Sequence, residues 1–147
     1  MAHSEIVVCP HCQTGNRVPS ERLGQQPLCG KCGKPLFTGR PVALDTAGFD
    51  RLMRVGTLPV LVDFWAAWCG PCRMMAPQFE AAAAALEPQV RLAKVDIEAE
   101  QALAARYAVQ SIPTLALFQG GRELSRQAGL MDRAALVRWV QSILPNR

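Results

Sequence analysis

From residue 42 onward the chain alternates between two hydrophobic patterns. Asp45 to Val55 spaces its apolar residues as a helix does, and Asp45 or Thr46 can cap its start. Pro59 to Ala66 is a nearly continuous apolar run, as expected of a strand buried on both faces in the middle of a sheet. Helix signals resume after Cys69: Cys72 to Leu86 contains the alanine run Ala81 to Ala85, a close-packing stretch of high helix propensity, with Pro77 as a kink. Val90 to Ile97 reads as a strand, Glu98 to Tyr107 as a helix and Thr114 to Gln119 as a strand. Gly120-Gly121 turns that strand back into Arg122 to Ala128, and Asp132 to Leu144 closes the chain as a helix. Strands alternating with helices imply a right-handed βαβ unit, and the hairpin adds antiparallel pairing. The expected fold is α/β, with a mixed central sheet flanked by helices.

The first 38 residues break this pattern. They are rich in Gly, Pro, Gln and Cys, with apolar residues only scattered at Ile6, Val7, Val8, Val18, Leu23, Leu28, Leu36 and Phe37. So short a segment cannot build a core alone and needs a metal or disulfides to fold. Thr38-Gly39-Arg40-Pro41 reads as a connection, giving a small domain over 1–38, a linker over 39–41 and the α/β domain over 42–147.

The cysteines say which aid the small domain uses. All six fall in Cys-x-x-Cys pairs: Cys9 with Cys12, Cys29 with Cys32, and Cys69 with Cys72. The opening residues carry Glu5 and no apolar stretch of the length of a secretory signal, so a cytoplasmic location is expected. No apolar run approaches the roughly 18 residues of a membrane span. Cytosolic thiols are kept reduced, so metal binding and redox chemistry are the readings to weigh. Cys9-Pro10-His11-Cys12 and Cys29-Gly30-Lys31-Cys32 have the separation of two knuckles gripping one tetrahedral zinc ion. Pro10, Gly30 and Gly33 help each turn back on itself. His11 lies inside the first knuckle, where its ring would point away, and His3 is expected to be a mobile terminal residue without a partner. Neither pair shows the strand-to-helix setting that a redox pair exploits.

The third pair has that setting. In Trp68-Cys69-Gly70-Pro71-Cys72 the first cysteine stands where a buried strand ends and a helix begins. Unpaired backbone N–H groups and the helix dipole put partial positive charge there, which stabilises a Cys69 thiolate. Cys72, three residues on, can attack a mixed disulfide formed on Cys69, and Pro71 suits the first helical turn.

The segment Val62-Asp63-Phe64-Trp65-Ala66-Ala67-Trp68-Cys69-Gly70-Pro71-Cys72 resembles the active-site segment of the thioredoxin family. Lys94, Ile112-Pro113-Thr114, Gly129 and Pro77 fall in that family's order and spacing. With its N-terminal cysteine pairs the chain is similar to the bacterial thioredoxin 2 group over nearly its whole length. The resemblance implies a protein-disulfide reductase. Asp63, an acid interrupting an apolar strand whose burial should raise its pKa, would deprotonate Cys72 with Lys94 nearby; the alternative is an acid merely paired with Lys94. Sequence statistics favour a trans Ile112–Pro113 bond, whereas the resemblance implies cis, with the Ile112 backbone free to bond an extended substrate. Trp68, Gly70, Pro71, Ile112 and Gly129 would form an apolar docking patch, while Trp65 and Trp139 read as packing residues. Ala67 departs from the family, which often has an acid there.

The resemblance also implies thioredoxin reductase, using NADPH, as electron donor and oxidised cytosolic proteins as substrates. Zinc is the one expected cofactor, with no tightly bound organic group, and the protein is expected to be a monomer. A nucleic-acid module is the competing class. The formal charge of +4 is concentrated in residues 1–41, but four thiolates around a zinc ion would cancel much of it, and residues 1–36 carry no Phe, Tyr or Trp on which bases could stack. A more oxidising isomerase or oxidase fits poorly with Gly70-Pro71 and with the cytosol.

Overall fold

The computed structural model describes residues 3–144. Two strands, β1 (Ser4–Val8) and β2 (Gly15–Pro19), form an antiparallel hairpin, followed by one turn of 3-10 helix at Ser20–Arg22. After the second cysteine pair come β3 (Val42–Ala43), α1 (Thr46–Val55), β4 (Val60–Trp65), α2 (Gly70–Leu86), β5 (Arg91–Asp96), α3 (Gln101–Arg106), β6 (Thr114–Gln119), β7 (Arg122–Ala128) and α4 (Arg133–Ile143). The central sheet has the order β3-β5-β4-β6-β7. Its first three strands are parallel, and β6 and β7 join antiparallel.

The expected elements of the body are present with ends moved by a few residues. The hairpin at the N-terminus, the 3-10 turn and the two-residue β3 were not anticipated. Asp45 caps α1, its Oδ1 accepting from the Gly48 N–H at 2.7 Å. Replacing it with alanine is expected to lower stability by about 1 kcal/mol in urea unfolding, because an orphan N–H loses its acceptor.

Side-chain alternation along β4 splits the core in two. Val60, Val62 and Phe64 face one layer with Phe49, Leu52, Leu103 and Phe118, beneath α1 and α3. Phe49, Tyr107 and Phe118 meet edge to face there, with ring centroids 5.1–5.5 Å apart. Leu61 faces the other layer with Met75, Phe79, Leu86, Leu115, Leu117, Leu136 and Val140, beneath α2 and α4. Trp139 packs against that second layer as expected. Pro77 lies inside α2 without ending it.

A third cluster joins the N-terminal segment to the body. Val7, Val18, Leu23, Leu36, Cys9 and Cys29 pack with Leu58, which precedes β4. The scattered apolar residues of the first 38 therefore do make a small core, but with a side chain borrowed from the body. Polar contacts hold the same seam. The Ile6 N–H donates to Thr57 Oγ1 at 2.9 Å, Thr57 donates its hydroxyl to Glu5 Oε1 at 2.6 Å, and Arg51 Nε donates to the Gln13 carbonyl at 2.6 Å. His3 is not without a partner, contrary to expectation: its Nε2 lies 3.0 Å from Glu5 Oε2. Among the described residues no helix is long and apolar enough to cross a membrane.

Candidate functional site

Two sites emerge, one from each kind of cysteine pair. At the first, β4 ends at Trp65 and the chain turns through Ala66-Ala67-Trp68 into α2, whose N-cap is Cys69. Gly70 and Pro71 form the first helical positions, where Pro71 sacrifices no hydrogen bond because first-turn N–H groups have no partner within the helix. Cys69 and Cys72 are joined as a disulfide, with Cα atoms 5.2 Å apart. The Cys69 Sγ accepts from the Cys72 N–H at 3.2 Å, so a helix N-terminal donor points at this sulfur. The pair is largely covered: Cys69 is 5% and Cys72 2% exposed. Ala66, Trp65, Ile97 and Ile112 pack around it.

The Ile112–Pro113 bond is cis, as the family resemblance implied and sequence statistics alone did not. The Ile112 carbonyl oxygen stands 3.7 Å from Cys69 Sγ. Gly129 closes this corner, donating its N–H to the Pro113 carbonyl at 2.9 Å with φ +98°, a conformation a Cβ would strain. Trp68 is exposed, and its indole Nε1 donates to Glu98 Oε1 at 2.6 Å. Glu98 thus belongs to the site, in the turn before α3 rather than in the expected helix, and the half-buried Trp65 is a packing residue as expected, set against the cysteine pair.

Asp63 is 1% exposed, and among the described residues neither of its oxygens has a hydrogen-bond partner. Burial raises its pKa to about 7, against the opposing pull of Lys94. Lys94 is Asp63's neighbour in the parallel β4–β5 register, yet its Nζ lies over the Trp65 ring, 4.5 Å from the centroid. A simple ion pair is therefore not what this acid makes. Strand alternation puts Asp63 on the same face as Leu61, which packs on Met75 and Phe79 of α2. Cys72 shares that buried helix face, three positions before Met75.

The other four cysteines are brought together from both ends of the N-terminal segment. Their sulfurs all lie within 4.8 Å of one another, with Cys9–Cys32 at 3.7 Å and Cys12–Cys29 at 3.6 Å. Four sulfurs at about 2.3 Å from one metal stand about 3.8 Å apart, so the donor set fits a tetrahedral ion. The two knuckles repeat one backbone pattern. Gln13 and Gly33 follow their second cysteines with positive φ, and their N–H groups donate to Cys9 O at 3.0 Å and Cys29 O at 2.9 Å. The first cysteine of each pair donates its own N–H to Thr14 O or Lys34 O, both at 2.9 Å. Backbone N–H groups of His11 and Lys31 point at the Cys9 and Cys29 sulfurs, at 3.4 Å each. The backbone N–H of Cys32 helps pull the Cys29 thiol down to about 6. His11 is exposed and stands outside the cluster.

Asn16 binds one knuckle to the other, and sequence reasoning missed it. Its Oδ1 accepts from the Gly30 N–H at 2.9 Å, while its Nδ2 donates to the Thr14 carbonyl at 3.0 Å and lies 3.6 Å from Cys29 Sγ. An asparagine standing between the two Cys-x-x-Cys pairs was the available signal.

Comparison with known proteins bears on both sites. A family model described as Thioredoxin matches residues 40–142, and one described as Thioredoxin 2, N-terminal, a zinc ribbon, matches residues 8–34. Thioredoxin C-3 of Corynebacterium nephridii is 42% identical over 142 residues, covering 97% of each chain. A bifunctional thioredoxin reductase/thioredoxin of Mycobacterium leprae is 47% identical over 108 residues, which are 74% of this chain and 24% of that one. Among solved structures, a mutant thioredoxin from Halobacterium salinarum NRC-1 superposes with a TM-score of 0.65 at 34% identity, over 73% of this chain and 93% of that one.

Proposed function

This chain belongs to the thioredoxin family and is a thiol–disulfide oxidoreductase, and from that premise we propose that it reduces protein disulfides through Cys69 and Cys72. The carrying observation is the helix N-cap position of Cys69, its sulfur facing the Cys72 N–H. In the reduced protein that setting favours a thiolate. The Cys69 thiolate attacks one sulfur of a substrate disulfide, forming a mixed disulfide and releasing the other sulfur as a thiolate. Asp63 takes the Cys72 proton, and Lys94 moderates the acid's charge. The Cys72 thiolate then attacks Cys69, releasing the second substrate thiol and leaving the Cys69–Cys72 disulfide. Two electrons pass to the substrate in each turn.

Trp68, Gly70, Pro71, Ile112, Pro113 and Gly129 dock the substrate around the pair, with Ile112 offering backbone groups to an extended segment. Replacing exposed Trp68 with alanine is expected to lower kcat/KM for insulin reduction about tenfold while leaving thermal stability unchanged, since a 63% exposed ring contributes little to the core. Unaltered kcat/KM would remove Trp68 from the docking surface.

Reduction of the pair by thioredoxin reductase is supported by the Mycobacterium leprae relative, a bifunctional thioredoxin reductase/thioredoxin that unites the two in one protein. A monomeric, cytoplasmic electron carrier acting on oxidised proteins, with no membrane or nucleic-acid partner, completes the reading.

Cys9, Cys12, Cys29 and Cys32 hold one zinc ion in this proposal, as the zinc-ribbon match and the four-sulfur cluster support. Bound zinc would supply folding energy to a segment too small to fold alone. Cys32 is an exposed residue while Cys9 and Cys29 are buried, and this more open corner of the cluster favours an oxidation-sensing role under oxidative stress over a purely structural one. Peroxide titration of the reduced protein, followed by native mass spectrometry, decides the matter. Zinc lost with disulfides among these four at low oxidant is expected; zinc retained after Cys69 and Cys72 have joined would make the site a structural clip.

A further inference from the structure

We propose that Arg91, on β5 of the α/β body, is a positioning residue of the four-cysteine site: its buried guanidinium fastens both chain segments that carry the cysteine pairs, so the cluster holds its metal firmly only while docked on that strand. The proposal rests on the zinc reading above.

An arginine in the middle of an apolar run, Val90-Arg91-Leu92-Ala93, needs a reason. Arg91 is 3% exposed, and burying a guanidinium is unfavourable unless its donors are used. Its partners lie at the seam. Nη2 donates to the Leu36 carbonyl at 2.8 Å and the Val8 carbonyl at 3.3 Å. Val8 directly precedes Cys9, and Leu36 lies just beyond the knuckle that ends at Cys32. One nitrogen therefore ties the chain entering the first knuckle to the chain leaving the second. The guanidinium also stands 4.7 Å from the centroid of the Phe37 ring.

Glu87 holds the guanidinium from the other side. Its Oε2 accepts from Arg91 Nη1 at 3.2 Å, and its Oε1 accepts from the Gly39 N–H at 3.1 Å, in the connection to the body. Both side chains of this pair are 3% exposed. The two carbonyls and the carboxylate can share one partner because a guanidinium presents its N–H groups in a rigid planar fork; an ammonium could not serve all three in one plane.

Charge adds to geometry. Burial disfavours the guanidinium's charge, and Glu87 and a negative sulfur at Cys9 favour it. Four thiolates around a divalent ion carry a net charge of −2, which acts in the same direction. Docking and metal binding then favour each other, and by reciprocity each weakens when the other is lost. Groups that orient metal ligands commonly change metal retention without touching the metal.

The test measures zinc transfer from reduced, zinc-loaded, full-length protein to a chromophoric chelator. Four proteins are compared: wild type, the double variant Glu87→Gln/Arg91→Met, Arg91→Lys, and Arg22→Met as an exposed control on the same segment. The double change avoids leaving Glu87 buried as an unpaired charge. Zinc transfer is expected to rise roughly ten- to a hundredfold in the double variant, by less in Arg91→Lys, and not at all in Arg22→Met. Insulin reduction through Cys69 is expected to stay at the wild-type rate, which separates a loosened metal site from a disrupted body. Arg91→Lys, which keeps the charge and loses the fork, carries the test if the double variant does not fold. Wild-type transfer rates in every Arg91 variant that folds would overturn the proposal. Wild-type protein purified without zinc and unable to take it up would instead overturn the zinc reading beneath it.

Discussion

Replacing Cys69 with serine is expected to reduce insulin reduction to the uncatalysed background, a loss on the order of a thousandfold or more. The hydroxyl of serine is not ionised by a helix N-terminus at neutral pH, so the Cys72 N–H at 3.2 Å from the sulfur has no thiolate to stabilise. Cys72→Ser has a different signature. The first attack still occurs, but nothing resolves it, and a mixed disulfide between Cys69 and substrate accumulates in a single-turnover reaction analysed without reductant. Cys72 is 2% exposed, which suits a sulfur that meets only its own neighbour. Equal activity in Cys69→Ser and wild type would remove this pair from the reaction.

Asp63→Asn is expected to stabilise the folded protein while slowing its chemistry. The carboxyl titrates at about 7 in the fold because it is buried, against an ordinary value of 3.8. The folded state therefore binds this proton more tightly than the unfolded chain does, and stability falls as pH rises from about 4 through 7. At pH 8 the full cost of the buried charge is present, up to about 4 kcal/mol, and the asparagine variant escapes it. Urea unfolding should show that gain at pH 8 and its decline as pH falls toward 4. In stopped-flow experiments, resolution of the mixed disulfide should lose its rise between about pH 6 and 8, the range in which this acid gives up its proton. A variant that neither gains stability at high pH nor alters the profile would leave Asp63 without its proposed role.

The body of the fold was legible because its signals are periodic. The apolar run at β4 and the alternation of strand and helix patterns around it are properties of neighbouring residues, and neighbouring residues are what a sequence displays. The N-terminal hairpin was not legible for the opposite reason. β1 and β2 are five residues each, β2 buries only Val18, and their pairing is fixed by the knuckle between them more than by their own pattern. β3 spans two residues and exists only as a partner of β5.

At the sites, spacing revealed the cysteines and resemblance supplied Lys94, Ile112, Pro113 and Gly129. What remained hidden were groups that act through tertiary contacts. Glu98 bonds Trp68 across 30 residues of chain, and Arg91 reaches Leu36 across 55 and Val8 across 83. Asp63 and Arg91 nevertheless share one visible trait, a charge placed inside a strand that is otherwise apolar. That trait drew attention to Asp63 and applies equally to Arg91.

The most direct test of the central claim starts from reduced, zinc-loaded protein mixed with a stoichiometric disulfide peptide, with native mass spectrometry and peptide mapping of the product. The expected product has lost two hydrogens, carries one disulfide between Cys69 and Cys72, and still holds zinc on the other four cysteines. A disulfide mapped among Cys9, Cys12, Cys29 and Cys32 with Cys69 and Cys72 still reduced would contradict the claim.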